Sequence, residues 1–180
     1  MKKTASKLFL DMIPVIMGVL IALYIDNWKT ERDNKRFLDG VLGSIEVELK
    51  DTQEGLEKVL PKQYTLIDTL DYYMEDPKIS IVDCFVKCNG LQVIPVKNNS
   101  WWSFLNTKIE IVGYETISQL GGIEASMQFM SMKVNKMMDF IYENSESTDI
   151  KHKKMLKIQI LNLIDSEEGL IEEHKKYLES

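Results

Sequence analysis

Two cysteines four apart, two histidines beside lysine pairs and a run of methionines are the side chains whose types could do chemistry. Cys84 and Cys88 stand in "CFVKC". At that spacing both fall on one face of a helix, where they could form a reversible disulfide or hold a metal. Structural zinc takes four ligands from Cys and His. Neither a second Cys pair nor a His cluster accompanies this one, so two half-buried helix cysteines are expected. His152 and His174 each precede two lysines, which would repel a cation. Both are expected to be solvated. "SMQFMSMKVNKMM" supplies Met127, Met130, Met132, Met137 and Met138. Thioethers can bind monovalent copper, but with no His or Cys nearby such a stripe fills a core or an adaptable contact surface. No Ser/His/Asp or Cys/His arrangement, H-E-x-x-H, phosphate loop or G-x-G-x-x-G occurs. The sequence therefore predicts no enzyme, no metal and no cofactor.

Two further acids, Asp11 and Asp26, bound the apolar part of "FLDMIPVIMGVLIALYIDNWKTERDNKR". A cleaved export signal needs small residues at its cleavage site; here Leu23, Tyr24 and Ile25 are bulky. From Leu8 to Trp28, between Lys7 and Lys29, lie 21 residues. At about 1.5 Å per residue they span about 30 Å, the thickness of a bilayer's hydrocarbon core. Tyr24 and Trp28 sit where aromatic side chains anchor at the membrane interface. Asp11 and Asp26 lie near the two ends, where they reach headgroups cheaply; deeper acids would mark an ion pathway or a partner contact. Against the span, its uninterrupted apolar core from Met12 to Ile25 is only 14 residues, as in the core helix of a soluble protein. The expectation is an uncleaved anchor. Gly18 and Ala22, four apart, form a small-residue pair that lets two spanning helices approach closely.

The same residues carry a resemblance. "GVLIALYIDNWKTER", with Asp11 seven positions before Gly18, resembles a signature of small bacterial single-pass membrane proteins, a domain of unknown function. That signature reads approximately E-(x)6-G-I-L-I-A-L-Q-I-N-N-W-N-E-x-R. Gly18, Leu20, Ile21, Ala22, Leu23, Ile25, Asn27, Trp28 and Arg32 match it, while Asp11, Tyr24 and Asp26 depart from it. The resemblance covers about 25 residues and is looser beyond; the family's later aromatic segment is faintly echoed by "SWWSFLNTK", without its Gly. It implies a bacterial inner-membrane protein with a helical domain, and it brings no catalytic residues. Orientation is nearly balanced by the positive-inside rule, with Lys2, Lys3 and Lys7 before the span and Lys29, Arg32, Lys35 and Arg36 after it. A short, purely basic N-terminus is that of a signal-anchor, which places the C-terminal domain in the periplasm.

These features need elements to position them. The chain has 180 residues and a net charge of −6. That is enough to bury one core and too acidic to favour nucleic acid, whose phosphates need clustered Lys and Arg. The expected fold is all-α: an anchor over residues 1–28 running into a helical bundle over residues 29–180. From Leu38 the apolar positions Leu42, Ile45, Leu49, Thr52, Leu56 and Val59 follow at alternating steps of four and three, a heptad stripe. The stripe resumes at Leu66, Leu70 and Tyr73, so the long helix 29–75 should bend at Pro61 rather than stop.

Small helices are expected within 77–106, the first capped by Asp76 with Pro77 at its first position and Gly90 at its end. "KIEIV" could be extended. Helices over 114–143, bent at Gly121–Gly122, and 149–179 complete an elongated bundle. The last should carry Ile150, Met155, Ile158, Leu161, Ile164, Leu170, Ile171 and Leu178 on one stripe. In "WWSFL", Trp101 and Trp102 cannot both face one way on a helix, so one plugs the core and the other is exposed or at a contact. Trp101, Trp102, Met127 and Met130 are the contact-surface candidates. Together these readings predict a membrane-anchored helical interaction, sensor or scaffold module whose partners are the lipid bilayer and a protein or a second copy. The alternative is an oligomeric effector whose spans assemble to perturb or conduct across the bilayer.

Overall fold

The heptad stripe is carried on one helix, α1, which runs from Lys2 to Tyr72 in the computed structural model. Backbone is described for residues 2–95, 99–105 and 109–179, and side chains from Met12 onward within them, except that of Glu110. The expectations placed on the Asp11 side chain and on residues 96–98 and 106–108 lie outside the described residues. After α1 come α2 (Ile81–Lys87), α3 (Asn99–Leu105), a 3₁₀ turn at Ile109–Ile111, α4 (Tyr114–Asn144) and α5 (Ile150–Leu178). The fold is all-α, a long N-terminal helix followed by a helical bundle. The chain divides into two units, residues 1–43 and 44–180.

In the second unit the heptad positions Ile45, Leu49, Thr52, Leu56 and Val59 are buried, and the stripe continues through Gln63, Leu66, Ile67 and Leu70. Helix α1 remains helical through Pro61, and the hydroxyl of Thr65 donates to the Pro61 carbonyl at 2.9 Å. Helix α5 runs antiparallel to this stretch. Glu57 pairs with Lys175 at 3.2 Å, Gln63 with Glu167 at 3.0 Å, and Asp71 with Lys157 at 2.6 Å, so one partner's number falls as the other's rises. Helix α4 folds back on α5 as a hairpin. Its Ser126 donates to Glu173 at 3.1 Å and Lys133 to the Asn162 carbonyl at 2.9 Å. The core is the apolar stripe each helix turns toward the others, led by Leu56, Leu66, Leu70, Met130, Met137, Leu156, Ile160 and Leu163.

The small elements close the ends of this bundle. Helix α2 starts four residues later than Asp76 and Pro77 suggested. Ser80 is its N-cap, and its hydroxyl and the Asp83 carboxylate cap each other's backbone N–H groups, two orphan donors satisfied at once. Asp76 instead accepts from the Lys78 N–H at 2.9 Å in a tight turn. The next N–H groups of α2, from Ile81 and Val82, donate to the Ser147 and Ser145 carbonyls, fastening α2 to the α4–α5 loop. Gly90 ends this segment at φ +87°, a left-handed conformation that glycine adopts without strain. "IEI" forms a 3₁₀ turn rather than an extended piece. Helix α4 passes through Gly121–Gly122 without interruption, because its i→i−4 bonds need no side chain.

Helix α3 inserts Trp101 and Phe104 into the core, their rings 5.8 Å apart. Trp101 lies among Ile45, Leu49, Leu120, Ile123 and Met127. Glu48 on α1 accepts from the Ser100 N–H at 3.1 Å, a carboxylate at a helix N-terminus where the macrodipole favours it.

Candidate functional site

The residues singled out by sequence fall in three places. The first is the N-terminal part of α1. Eleven large apolar side chains between Met12 and Ile25 are at least half exposed, and the helix is long and apolar enough to cross a membrane with none of that window buried. Fully burying such a side chain is worth about 1.5–3 kcal/mol. Leaving eleven half exposed in water would cost on the order of 10 kcal/mol, as much as a whole domain's stability. This surface needs a cover. Gly18 and Ala22 lie on it, and a methyl group added at Gly18 meets nothing within 4 Å. Asp26 and Tyr24 are exposed. Trp28 is 55% exposed, and the Arg32 guanidinium lies 5.6 Å from its ring centroid. An aromatic ring held against a cation at the end of an apolar run suits the boundary between hydrocarbon and water.

The second place is a polar seam between α1 and α5, of which the sequence singled out only His174 and the heptad position Thr52. Thr52 and Gln63 on α1 and Glu167 and His174 on α5 are all buried. Gln63 donates its amide to the Glu167 carboxylate at 3.0 Å and to the Gln92 carbonyl at 3.1 Å. The second Glu167 oxygen, the Gln63 carbonyl oxygen, the Thr52 hydroxyl and both His174 ring nitrogens lack hydrogen-bond partners of good geometry. Burial pushes the Glu167 carboxyl up to about 7, against a smaller opposing effect of the Gln63 amide. Burial also pushes His174 down to about 4, while the nearby Leu49 backbone acts weakly in the opposite sense. The expectation of a solvated His174 is therefore corrected. Seven residues after Glu167, it shares the inward face of α5, and the flanking lysines sit on other faces. His152 is half-buried, in contact with the Ser147 hydroxyl at 2.8 Å and edge-on to Phe140.

Lys153 is buried as well. Its ammonium donates to the Tyr73 and Asp76 carbonyls, both at 2.8 Å, and so ties α5 to the turn that follows α1. Cys84 is buried and Cys88 half-buried, both free thiols. Burial raises both, most directly opposing thiolate formation. Among the described residues no group of three or more His, Cys, Asp or Glu comes together as a metal site.

The third place is the core itself. Of the contact-surface candidates, Trp101, Met127 and Met130 are buried, which corrects that expectation. Met127 and Met130 lie three apart on the face of α4 that packs inward, where flexible thioethers fill gaps. Trp102 is 48% exposed. Phe129 and Met132, between and beyond those methionines, are instead the exposed ones. Met155 and Ile158, expected on the inward stripe of α5, are about half exposed, and Leu156, Ile160 and Leu163 take the core positions.

Comparison with known proteins returns no matching family model, no matching curated protein and no matching solved structure. The resemblance over residues 11–32 rests on those residues alone.

Proposed function

We propose that this chain is a membrane-anchored helical interaction module: the apolar segment of α1 sits in a lipid bilayer, and the bundle of residues 44–180 presents its surface to a protein partner. The supporting observation is the uncovered apolar segment between Met12 and Ile25, set within the 21 residues between Lys7 and Lys29 that span about 30 Å as a helix. A soluble core helix would bury such a face within the protein. The bundle supports a binding role over a catalytic one: its thiols are shifted away from reactivity, and its most perturbed groups, Glu167 and His174, are enclosed. A bacterial inner membrane and an exported bundle belong to this reading through the resemblance and the basic N-terminus.

Membrane fractions of expressing cells, washed with alkaline carbonate, test the anchor. The wild-type chain is expected in the pellet and a Val19→Arg/Leu20→Arg variant in the supernatant; release of the wild-type chain would defeat the proposal. The second reading, an effector whose spans assemble, is favoured by the open face at Gly18. It requires Gly18→Leu to reduce the oligomer size in mild detergent.

A further inference from the structure

Helices α4 and α5 leave a groove between them that opens to solvent and reaches inward to the core residue Met137. It has a volume of about 540 Å³, and Met137, Phe140, Met155 and Ile158 provide its apolar wall. Phe129 and Met132 extend the same apolar surface along α4 and are more than half exposed. From Phe129 to Phe140 the strip is about 17 Å long, three helical turns. The charged residues lining the groove are Lys133 and Lys136, on a chain whose net charge is −6. Lys133 is held in place, donating to the Asn162 carbonyl and the Ser166 hydroxyl and lying 4.8 Å from the Phe129 ring centroid. Lys136 is exposed.

We infer that this groove docks an amphipathic helix of a partner protein, its apolar face in the groove and its flanking carboxylates against Lys133 and Lys136. Three turns accept the anchors of such a helix at positions i, i+3 or i+4, and i+7. Methionines at the contact adapt to the shape of the inserted side chains. Charge selects among the occupants. Two copies meeting groove to groove would set Lys136 of each against the lysines of the other, a repulsion added to that of two acidic chains. A flat bilayer does not fill a cleft between two helices, and the two lysines that line the groove are fewer than the cluster of basic residues that recognises anionic headgroups. A carboxylate-flanked ridge satisfies shape and charge together. The inference rests on the reading of the bundle as an interaction module and gives it a surface and a partner chemistry.

The test is selection from a displayed library on the full chain in lipid nanodiscs. The library holds helix-favouring segments of about 14 residues, four turns. Apolar residues occupy one face, and the flanks are randomised among Glu, Lys and Gln. Enriched segments are expected to carry Glu at the flanks. Fluorescence anisotropy should then show at least tenfold weaker binding to Ile158→Asp, and Lys136→Glu should favour the Lys-flanked counterpart over the Glu-flanked one. Both changed side chains are exposed, so circular dichroism should show an unaltered fold. No enrichment over empty nanodiscs, or binding that survives Ile158→Asp, overturns the inference. So does a dimer in light scattering that Ile158→Asp dissociates, which would assign the groove to a second copy. Binding of the detergent-solubilised chain to phosphatidylserine vesicles that Lys136→Glu abolishes would assign it to a membrane, and also overturns it. Carbonate extraction of the same proteins separates this result from the anchor. A groove that fails while the chain stays in the pellet leaves the anchoring standing, and loss of the wild-type chain from the pellet defeats the anchor whatever the groove binds.

Discussion

Replacing Glu167 by Gln should make the protein more stable at neutral pH, although it removes a hydrogen-bonded carboxylate from the core. Gln is nearly isosteric and keeps an oxygen that accepts from the Gln63 amide. What it removes is a charge that burial disfavours. In the unfolded chain Glu167 titrates near 4.5 and in the folded chain near 7. Its contribution to stability is whole below pH 4.5 and is lost as pH rises to about 7. At about 1.36 kcal/mol per pH unit, the loss over this window is about 3 kcal/mol.

His174 runs the other way. Its folded value of about 4 lies below its ordinary 6.5, so its contribution is whole above pH 6.5 and is lost as pH falls to about 4. Between pH 4.5 and 6.5 folding takes up a proton at Glu167 and releases one at His174, and the two slopes cancel. The wild-type seam is close to pH-neutral there, and each single substitution unmasks the other group.

The assay is urea unfolding of the full chain in detergent micelles at half-unit steps from pH 4 to 8, followed by tryptophan fluorescence. The quantity read is the difference between Glu167→Gln and wild type. The exposed Glu57–Lys175 and Tyr64–Glu168 contacts and the Ser80–Asp83 cap are common to both proteins and drop out. The difference should climb by about 3 kcal/mol in favour of the variant between pH 4.5 and 7 and then level. For His174→Gln it should climb by a similar amount as pH falls from 6.5 to 4. A Glu167→Gln difference that stays flat across the window would refute the reasoning, since it would mean that the carboxyl titrates alike in folded and unfolded chains.

Lys153→Met should cost about 1–3 kcal/mol, because it takes the ammonium from the Asp76 carbonyl and leaves the Tyr73 carbonyl only the Asp76 N–H at 3.3 Å; hydrogen exchange should quicken first in residues 73–80. Leu163→Ala should cost about 2–5 kcal/mol of unfolding free energy. Met155→Ala should stay within about 0.5 kcal/mol, since Leu163 is fully buried and Met155 is 48% exposed; equal losses at the two would contradict the orientation of α5. Ser80→Ala should remove about 1 kcal/mol with the loss of the reciprocal cap at α2, measurable as a lower denaturation midpoint at unchanged slope.

Much of the fold was legible because helices announce themselves by period. The alternating steps from Leu38 to Val59 placed the inward face of α1, and the break expected between helices 114–143 and 149–179 falls at the turn between α4 and α5. Caps were read less well. Asp76–Pro77 and Ser80–Asp83 are both acceptable helix starts, and only the carbonyls of Ser145 and Ser147, more than 60 residues away, favour the second. On α5 the apolar residues nearly surround the helix, so the one-dimensional pattern admits more than one stripe. Packing against α1 and α4 selected Leu156, Ile160 and Leu163, and it left Met155 and Ile158 to form one wall of the groove.

By itself the sequence determined the helical class, the apolar core from Met12 to Ile25 within the 21 residues between Lys7 and Lys29, and the heptad face, because each depends on residues a few positions apart. The tertiary structure decided which polar groups are buried together and which apolar ones are left outside. Glu167 and Gln63 are 104 residues apart, and Lys153 and Tyr73 are 80 apart. Such distant pairs meet only through the antiparallel register of α1 and α5. Burial, which pushes Glu167 and His174 so far from their ordinary values, is a property of the assembled core and is written in no local spacing.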